Sequence, residues 1–280
     1  MTGEIRRVGF IGLGSLGADQ ARELAKLPIE LVVHDVRPAA MAAFEGRALL
    51  AQDVAEVGRG SDAVGIAVQD DRQVDSCADA LLPVMKRGAV LLIHSTIRPS
   101  TVIALAERAA AFGVDVLEAP VTRTEMTRDG PFVFCITGGS EALAARHATL
   151  IDAFATDHLH AGPLGSAMAL KTCNNLASWG SVLASLEAVA LAEAAGVPVD
   201  KLLTVMKRNR VLTPAAAMFV GLRSDPGDAA RRTAIAVQGA ISEKDLKLAQ
   251  ALAADFGGEA PLASAAAAMI GDVLVAISKS

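Results

Sequence analysis

A glycine-rich turn between two apolar runs limits this chain more than any other feature. Residues 8–11 are Val-Gly-Phe-Ile, and they lead into Gly12-Leu13-Gly14-Ser15-Leu16-Gly17. A run of helical composition follows from Ala18 to Leu27 and is closed by Pro28. A second apolar run, Ile29 to Val33, ends at Asp35. The expected order is strand, tight turn, helix, strand and terminal acid, the layout of a dinucleotide-binding βαβ unit. Gly12 lets the chain leave the strand sharply. Gly14 lets a pyrophosphate approach the backbone, and Gly17 lets helix and strand pack closely. The helix start presents unpaired N–H groups and a positive dipole end to phosphates. Asp35, 23 residues after Gly12, is placed to accept hydrogen bonds from ribose hydroxyls. A bare Gly-x-Gly-x-x-Gly occurs in many loops. The flanking strands, helix and acid put the nucleotide reading ahead of a merely glycine-rich connection.

The rest of the first half repeats that alternation. Short apolar runs at 48–50, 63–68, 89–93, 114–117, 132–137 and 156–160 read as strands. Runs at Val74–Leu82, Pro99–Phe112 and Glu141–Phe154 read as helices, with Gly113 stopping the second. Apolar strands alternating with helices specify a mostly parallel, doubly wound sheet. At Gly162-Pro163 the character changes. Residues 165–195 lack proline, which allows about 45 Å of continuous helix. Helical composition then continues at Val199–Arg208, Pro214–Gly221, Ile241–Phe256 and Pro261–Ile277, with Arg231-Arg232 read as loop. The reading is an α/β Rossmann domain at 1–162 and an all-α domain at 163–280, led by a long interdomain helix.

Composition narrows the function classes. A net charge of −5 gives no broad nucleic-acid footprint. By sequence, no run approaches an apolar span of about 20 residues free of charges and helix breakers, so no membrane partner is expected. The start of the chain enters a strand after a few polar residues, with no signal peptide. Cys77, Cys135 and Cys173 are odd in number and show no metal spacing, and the five histidines show none either. Free thiols, mostly buried, in a reducing cytoplasm follow, with Cys173 assigned to core. His94, at a strand end, is read either as touching the cofactor or as packed.

In a doubly wound sheet, ligands lie beyond the carboxyl ends of the strands. Three such ends carry chemistry: the glycine turn, His94-Ser95-Thr96, and Thr122-Arg123-Thr124. The cofactor set is therefore Gly12 to Gly17, Asp35, Val36, Arg37, Val68 and Thr96. The long helix adds Lys171, with Asn174 and Asn175 at i+3 and i+4, on one face. A lone helical lysine is usually solvated. Beside two amides in an apolar helix, where burial without partners is costly, a cleft-facing site is favoured. Its ammonium could exchange a proton with a carbonyl oxygen while hydride is transferred at the carbon.

These segments together resemble the β-hydroxyacid dehydrogenases, the family that includes 3-hydroxyisobutyrate dehydrogenase. The likeness covers almost the whole chain in order. Residues 10–17 resemble the opening fingerprint, with Leu16 where methionine is commoner. Glu118-Ala119-Pro120-Val121 resembles the substrate-loop motif, residues 165–175 the catalytic segment, and Lys244-Asp245-Leu246-Lys247-Leu248-Ala249 the C-terminal motif. The resemblance implies Lys171 as catalytic acid/base, Asn175 on substrate, Ser95 and Thr96 near the nicotinamide ribose or substrate, and Lys244 in the cleft. It also implies an all-α C-terminal domain and homodimers or homotetramers built on it.

One departure stands out. Where most members continue Ser-Gly-Gly, this chain has Thr122-Arg123-Thr124. Arg123 could clamp a carboxylate or sulfonate head group, or face outward or pair with Glu125 or Asp129. Val-x-Arg-Thr followed by Gly130 is similar to the sulfolactaldehyde reductases, which puts plain 3-hydroxyisobutyrate in doubt as substrate. Asp35 favours NAD, and Arg37 leaves NADP as the lesser alternative. The expected activity interconverts a small anionic hydroxy compound and its aldehyde or ketone. An imine reductase is the second reading, weakened because those enzymes usually carry Asp or Tyr where Lys171 stands. A catalytically silent NAD-binding protein is the third.

Overall fold

The computed structural model describes residues 5–123 and 130–279. Thr124, Glu125 and Asp129 therefore lie outside the described residues. The first stretch runs β1 (Arg7–Ile11), α1 (Ser15–Leu24), β2 (Glu30–His34), α2 (Pro38–Ala42), β3 (Leu49–Leu50), α3 (Val54–Gly58), β4 (Ala63–Ile66), α4 (Asp71–Leu81), β5 (Val90–Ile93), α5 (Pro99–Phe112) and β6 (Asp115–Glu118). The six strands form one sheet in the order β3-β2-β1-β4-β5-β6, every pair parallel. Side chains alternate between its faces. Val8 and Phe10 pack into one apolar layer, while Ile11, Val64 and Ile66 pack into the other. A sheet buried on both faces is what near-continuous apolar strands require.

Two local signals decide helix starts that periodicity alone misplaces, and a third ends α5 where the sequence reading put it. Asp53 accepts a hydrogen bond from Glu56 N–H at 2.7 Å, and Glu56 reaches back to Gln52 N–H at 2.7 Å. This reciprocal cap starts α3 in a stretch with little apolar pattern. Asp70 caps Gln73 N–H at 2.8 Å and starts α4 three residues before Val74. Gly113 ends α5 at φ +70°, a left-handed conformation that glycine adopts without strain.

The strands expected at 132–137 and 156–160 do not extend the parallel sheet. With β7 (Val121–Arg123), β8 (Val133–Thr137) and β9 (Ala155–His160) they form a second, three-stranded sheet, in which β7 runs antiparallel to β8. Thr122 and Arg123, read as a polar segment, are thus strand residues opposite Phe134 and Val133. Pro120 lies between β6 and β7, where its carbonyl accepts Ile136 N–H at 2.9 Å. The helix expected over 141–154 is two, α6 (Glu141–Arg146) and α7 (Ala148–Asp152). They divide at His147, which leaves helical geometry and sets Nδ1 3.0 Å from Leu143 O.

The chain forms two compact units, residues 1–171 and 172–280. α8 (Ser166–Ala194) crosses from one to the other. It is followed by α9 (Val199–Arg208), α10 (Pro214–Ser224), α11 (Ala229–Asp255) and α12 (Pro261–Lys279). α11 starts twelve residues before Ile241, because Asp228 caps Arg231 N–H at 2.9 Å. Arg231 and Arg232 therefore lie in its first turn and not in a loop. In the second unit, Val182, Leu186, Phe219, Leu246, Ile270 and Leu274 are buried together. Gly239 and Gly271 let α11 and α12 approach closely: a Cβ at Gly239 would lie 3.4 Å from Gly271 Cα. By length and composition, α8 and α12 are long and apolar enough to cross a membrane, with mean hydropathy 1.2 and 1.7 over 18 residues. That differs from the expectation. Alanine raises hydropathy in both without large side chains.

Candidate active site

The strand order reverses between β1 and β4, and the glycine turn leaves β1 at that point. In open α/β sheets this crevice is where ligands bind. The three glycines are constrained differently. Gly12 has φ +92°, and a Cβ there would meet Ala67 O at 2.3 Å. At Gly17 a Cβ would meet Gly12 O at 2.0 Å, so both positions are closed by protein. A Cβ on Gly14 would have nothing within 4 Å. Gly14 is also the N-cap of α1, and no side chain caps it. An open, uncapped helix N-terminus flanked by two closed glycines fits a dinucleotide diphosphate. Leu13, Ser15 and Leu16 supply the rest of that backbone edge.

At the end of β2, Asp35 is buried and accepts Leu13 N–H at 2.7 Å. Arg37 closes on the same carboxylate with its backbone N–H at 2.8 Å and its Nε and Nη2 at 2.9 Å. Burial alone would raise the Asp35 pKa. The Arg37 bonds and the Leu13 N–H outweigh it and bring the carboxyl down to about 2. Asp35 is therefore an anion that ties the glycine turn to β2. Val36 beside it is 89% exposed.

At the ends of β4 and β5, Ser95 is buried and its hydroxyl engages the Val68 backbone, accepting Val68 N–H at 2.8 Å and lying 2.8 Å from Val68 O. Ser95 thus holds the Val68 turn. Thr96 is half-buried. His94 is packed: it stacks on Phe10, meets Phe154 edge-on, and has Nδ1 2.9 Å from Ala119 O. Burial lowers its pKa to about 4. The unfolded chain protonates His94 near pH 6.5, the folded chain only near pH 4. Acidification across that window therefore removes stability, by roughly 3 kcal/mol if the whole shift is realised. Thermal melts of His94→Phe are expected to show a flatter loss of Tm between pH 6.5 and 4 than the parent chain; an unchanged slope would assign the acid sensitivity elsewhere.

The β6–β7 segment holds the start of α8 from two sides. Glu118 is fully buried, and its carboxylate accepts Gly165 N–H at 2.8 Å and Met168 N–H at 3.0 Å. Burial raises its pKa, and those backbone donors partly offset the rise. Four residues on, the Thr122 hydroxyl accepts from Lys171 Nζ at 2.7 Å. Lys171 is only 8% exposed, so its ammonium is held at a defined place. The pairing of Arg123 with Glu125 or Asp129 lies outside the described residues. Within them, Arg123 contacts α1 and the residue before β8. Its Nη2 donates to Asp19 on α1 at 2.9 Å, and its guanidinium lies 4.9 Å over the Phe132 ring.

In the second unit Asn175 is buried and donates to Asp245 Oδ2 at 2.9 Å, while Lys244 Nζ lies 2.9 Å from Asp245 Oδ1. Asn174 and Cys173 are exposed, so Cys173 is not a core residue. Cys77 and Cys135 are buried free thiols. Sequence reading missed three residues. Asp245 lies inside the C-terminal motif, but nothing in the sequence singles out its carboxylate. Glu118 lies in the substrate-loop motif with no role evident from sequence. Asp19 carried no signal, because its partner is 104 residues away.

Two family matches cover this architecture. Residues 7–162 match the NAD binding domain of 6-phosphogluconate dehydrogenase, and residues 165–278 match the NAD-binding family of NADP-dependent 3-hydroxyisobutyrate dehydrogenase. An uncharacterised oxidoreductase of Mycobacterium tuberculosis is 34% identical over 94% of this chain and 91% of its own length. The NAD-dependent L-serine dehydrogenase of Pseudomonas aeruginosa is 28% identical over 94% of this chain and 90% of its own. Among solved structures, the fold is similar to Mycobacterium tuberculosis 3-hydroxyisobutyrate dehydrogenase with L-serine, at TM-score 0.82, 23% identity and 99% of each chain. Fold and site define an NAD(P)-dependent oxidoreductase. The chain belongs to the β-hydroxyacid dehydrogenase family.

Proposed function

We propose that this enzyme interconverts a small hydroxy compound bearing a carboxylate or sulfonate and its aldehyde or ketone, with NAD preferred and Lys171 exchanging the proton. One observation supports the reading above others: a buried lysine whose Nζ is held 2.7 Å from the Thr122 hydroxyl, one residue before an arginine. This supports a reading in which one short strand, β7, serves both the proton donor, through Thr122, and the anion receiver, Arg123. The cofactor supplies or accepts hydride when bound. Gly14 and the start of α1 hold its diphosphate, and Asp35 its ribose. Leu13, Ser15, Leu16, Val36, Val68 and Thr96 would line it, and the family resemblance adds Lys244. Thr122 orients the Lys171 ammonium, and Lys171 gives a proton to the carbonyl oxygen or takes it back in the reverse direction. Arg123 holds the anionic head group of the substrate, and Asn174 and Asn175 are assigned to substrate by the family resemblance alone. Ser95 supports this site by fixing Val68.

The NAD preference rests on Asp35, an anion where a 2′-phosphate would sit, with Arg37 already bound to it. A homodimer or homotetramer through the helical unit would cover exposed Leu191, Phe256 and Leu262. Three free thiols suit the cytoplasm. The test is a panel of small hydroxy acids, hydroxy-sulfonates and neutral alcohols, read by NADH and NADPH absorbance. Anionic compounds with NAD are expected to give the highest kcat/KM. Arg123→Ala is expected to raise KM for them by about 10- to 100-fold, the loss of a charge-assisted bond. A neutral compound turned over best would sink the substrate class, and a higher kcat/KM with NADPH would reverse the cofactor preference.

A further inference from the structure

We propose that Asp19 is the resting counter-ion of Arg123, a carboxylate that the substrate's anionic head group must displace, which makes Asp19 a specificity-determining residue. The proposal rests on the substrate role of Arg123 given above. Asp19 lies on α1, two residues after Gly17, and its side chain is 9% exposed. Its Oδ2 accepts from Arg123 Nη2 at 2.9 Å, while its Oδ1 accepts from Arg22 Nη1 at 2.5 Å. Arg22 therefore keeps Asp19 in place whether or not Arg123 stays. The Phe132 ring fixes the plane of the Arg123 guanidinium 4.9 Å away. A cavity of about 280 Å³ lined by Asp19, Arg22, Glu23 and Phe132 lies beside the pair. The cavity borders Asp19, and the Arg123 side chain is itself 27% exposed, so exchanging the ion pair requires no unfolding.

This arrangement selects by charge in two ways. A neutral ligand offers Arg123 weaker acceptors than the Asp19 carboxylate and does not displace it. An anionic ligand can displace it, but meets repulsion from Asp19 a few ångströms away, which weakens its binding. Removing the Asp19 charge while keeping its shape should therefore help anions more than neutral ligands, because only anions also shed a repulsion. The cofactor helix and the substrate strand are also joined through this pair, because α1 begins at the glycine turn and Arg123 ends β7.

The experiment compares Asp19→Asn with the parent enzyme on an anionic substrate and on a neutral alcohol of similar length. KM for the anionic compound is expected to fall about three- to tenfold. The gain should shrink in high salt, as screening weakens the repulsion it removes. KM for the neutral compound is expected to fall by less than that for the anion. An unchanged or raised KM for the anion overturns the proposal. Equal shifts for anion and neutral compound also overturn it, because they report a general disturbance of the site. If Asp19→Asn does not fold, Asp19→Ser carries the same expectation. Arg123→Ala, measured alongside, separates two failures. If it leaves KM for the anion unaltered, the substrate role of Arg123 falls, and this proposal with it. If it raises KM while Asp19→Asn does nothing, only the role of Asp19 falls.

Discussion

Lys171→Ala is expected to lower kcat by about 10²- to 10⁴-fold, the range for losing a positioned general acid, while NADH affinity stays within roughly twofold. The two parts of that expectation come from different places in the fold. The proposed nucleotide cradle, Gly12 to Gly17 with Asp35, takes no support from Lys171 in the hydrogen bonds of the glycine turn. The Lys171 ammonium is held by Thr122 on β7. Single-turnover reduction with saturating NADH, followed by absorbance, reads the chemical step. Fluorescence titration of NADH reads the cradle. A fall of only a few-fold would place the proton donor elsewhere. Lys171→Arg is expected to be nearly as slow as Lys171→Ala, since a guanidinium keeps its charge but gives up a proton reluctantly. If Lys171→Arg retained activity, the positive charge and not the proton would be what the reaction uses.

The placement of Lys171 depends on a short segment with two jobs. Glu118 takes up N–H groups from the first turn of α8, and Thr122, four residues later, receives the side chain one turn further along the helix. A carboxylate at a helix N-terminus is favourable in charge as well as in hydrogen bonding. Because Glu118 is fully buried, the start of α8 has little freedom to shift, and the ammonium inherits that rigidity. Gly138 is part of the same fit: a Cβ there would lie 2.1 Å from Glu118 Oε2.

Local chemistry made most of the first unit legible. Gly12 to Gly17, the apolar strands, Pro99 and Gly113 each act on their own backbone, so their sequence neighbours suffice to read them. The second sheet was not legible, because β7 is three residues of mixed character whose partner begins ten residues later. Its pairing is a tertiary fact. The early start of α11 was hidden by Pro226-Gly227, which reads as a loop until Asp228 is seen as a cap. Among site residues, Lys171 and Asn175 stood out because polar groups in an apolar helix are conspicuous. The pairings did not. Lys171 with Thr122, Asn175 with Asp245 and Arg123 with Asp19 span 49, 70 and 104 residues, and nothing in a local pattern encodes such pairs. His94 shows the reverse case: a strand-end histidine in reach of chemistry by sequence, but clamped between Phe10 and Phe154 in the fold.

Gly14→Val is expected to abolish cofactor binding while leaving the fold intact, and the contrast with its neighbours is what makes the test informative. Gly12 and Gly17 are required by the protein itself, since a Cβ at either would overlap backbone at 2.3 or 2.0 Å. Substituting them would damage the strand–turn–helix packing, and lost binding would then say nothing about a ligand. At Gly14 the backbone has φ −69° and ψ −170°, which any residue adopts, and a Cβ would face open space. Nothing in the folded chain therefore demands glycine there. The demand must come from what approaches the helix N-terminus, and a diphosphate drawn to the N–H groups of Ser15, Leu16 and Gly17 is such a group. A valine side chain would stand between those donors and the phosphate oxygens, so NADH Kd is expected to rise by at least about 100-fold, the loss of two or more charge-assisted hydrogen bonds. The apo protein's Tm is expected to move by no more than about 2 °C, because no packing is disturbed. The discriminating measurement is the ligand-dependent rise in Tm. The parent chain should be stabilised by millimolar NADH through mass action, and the variant should not. Retained stabilisation in Gly14→Val would mean that the dinucleotide does not lie across this helix terminus.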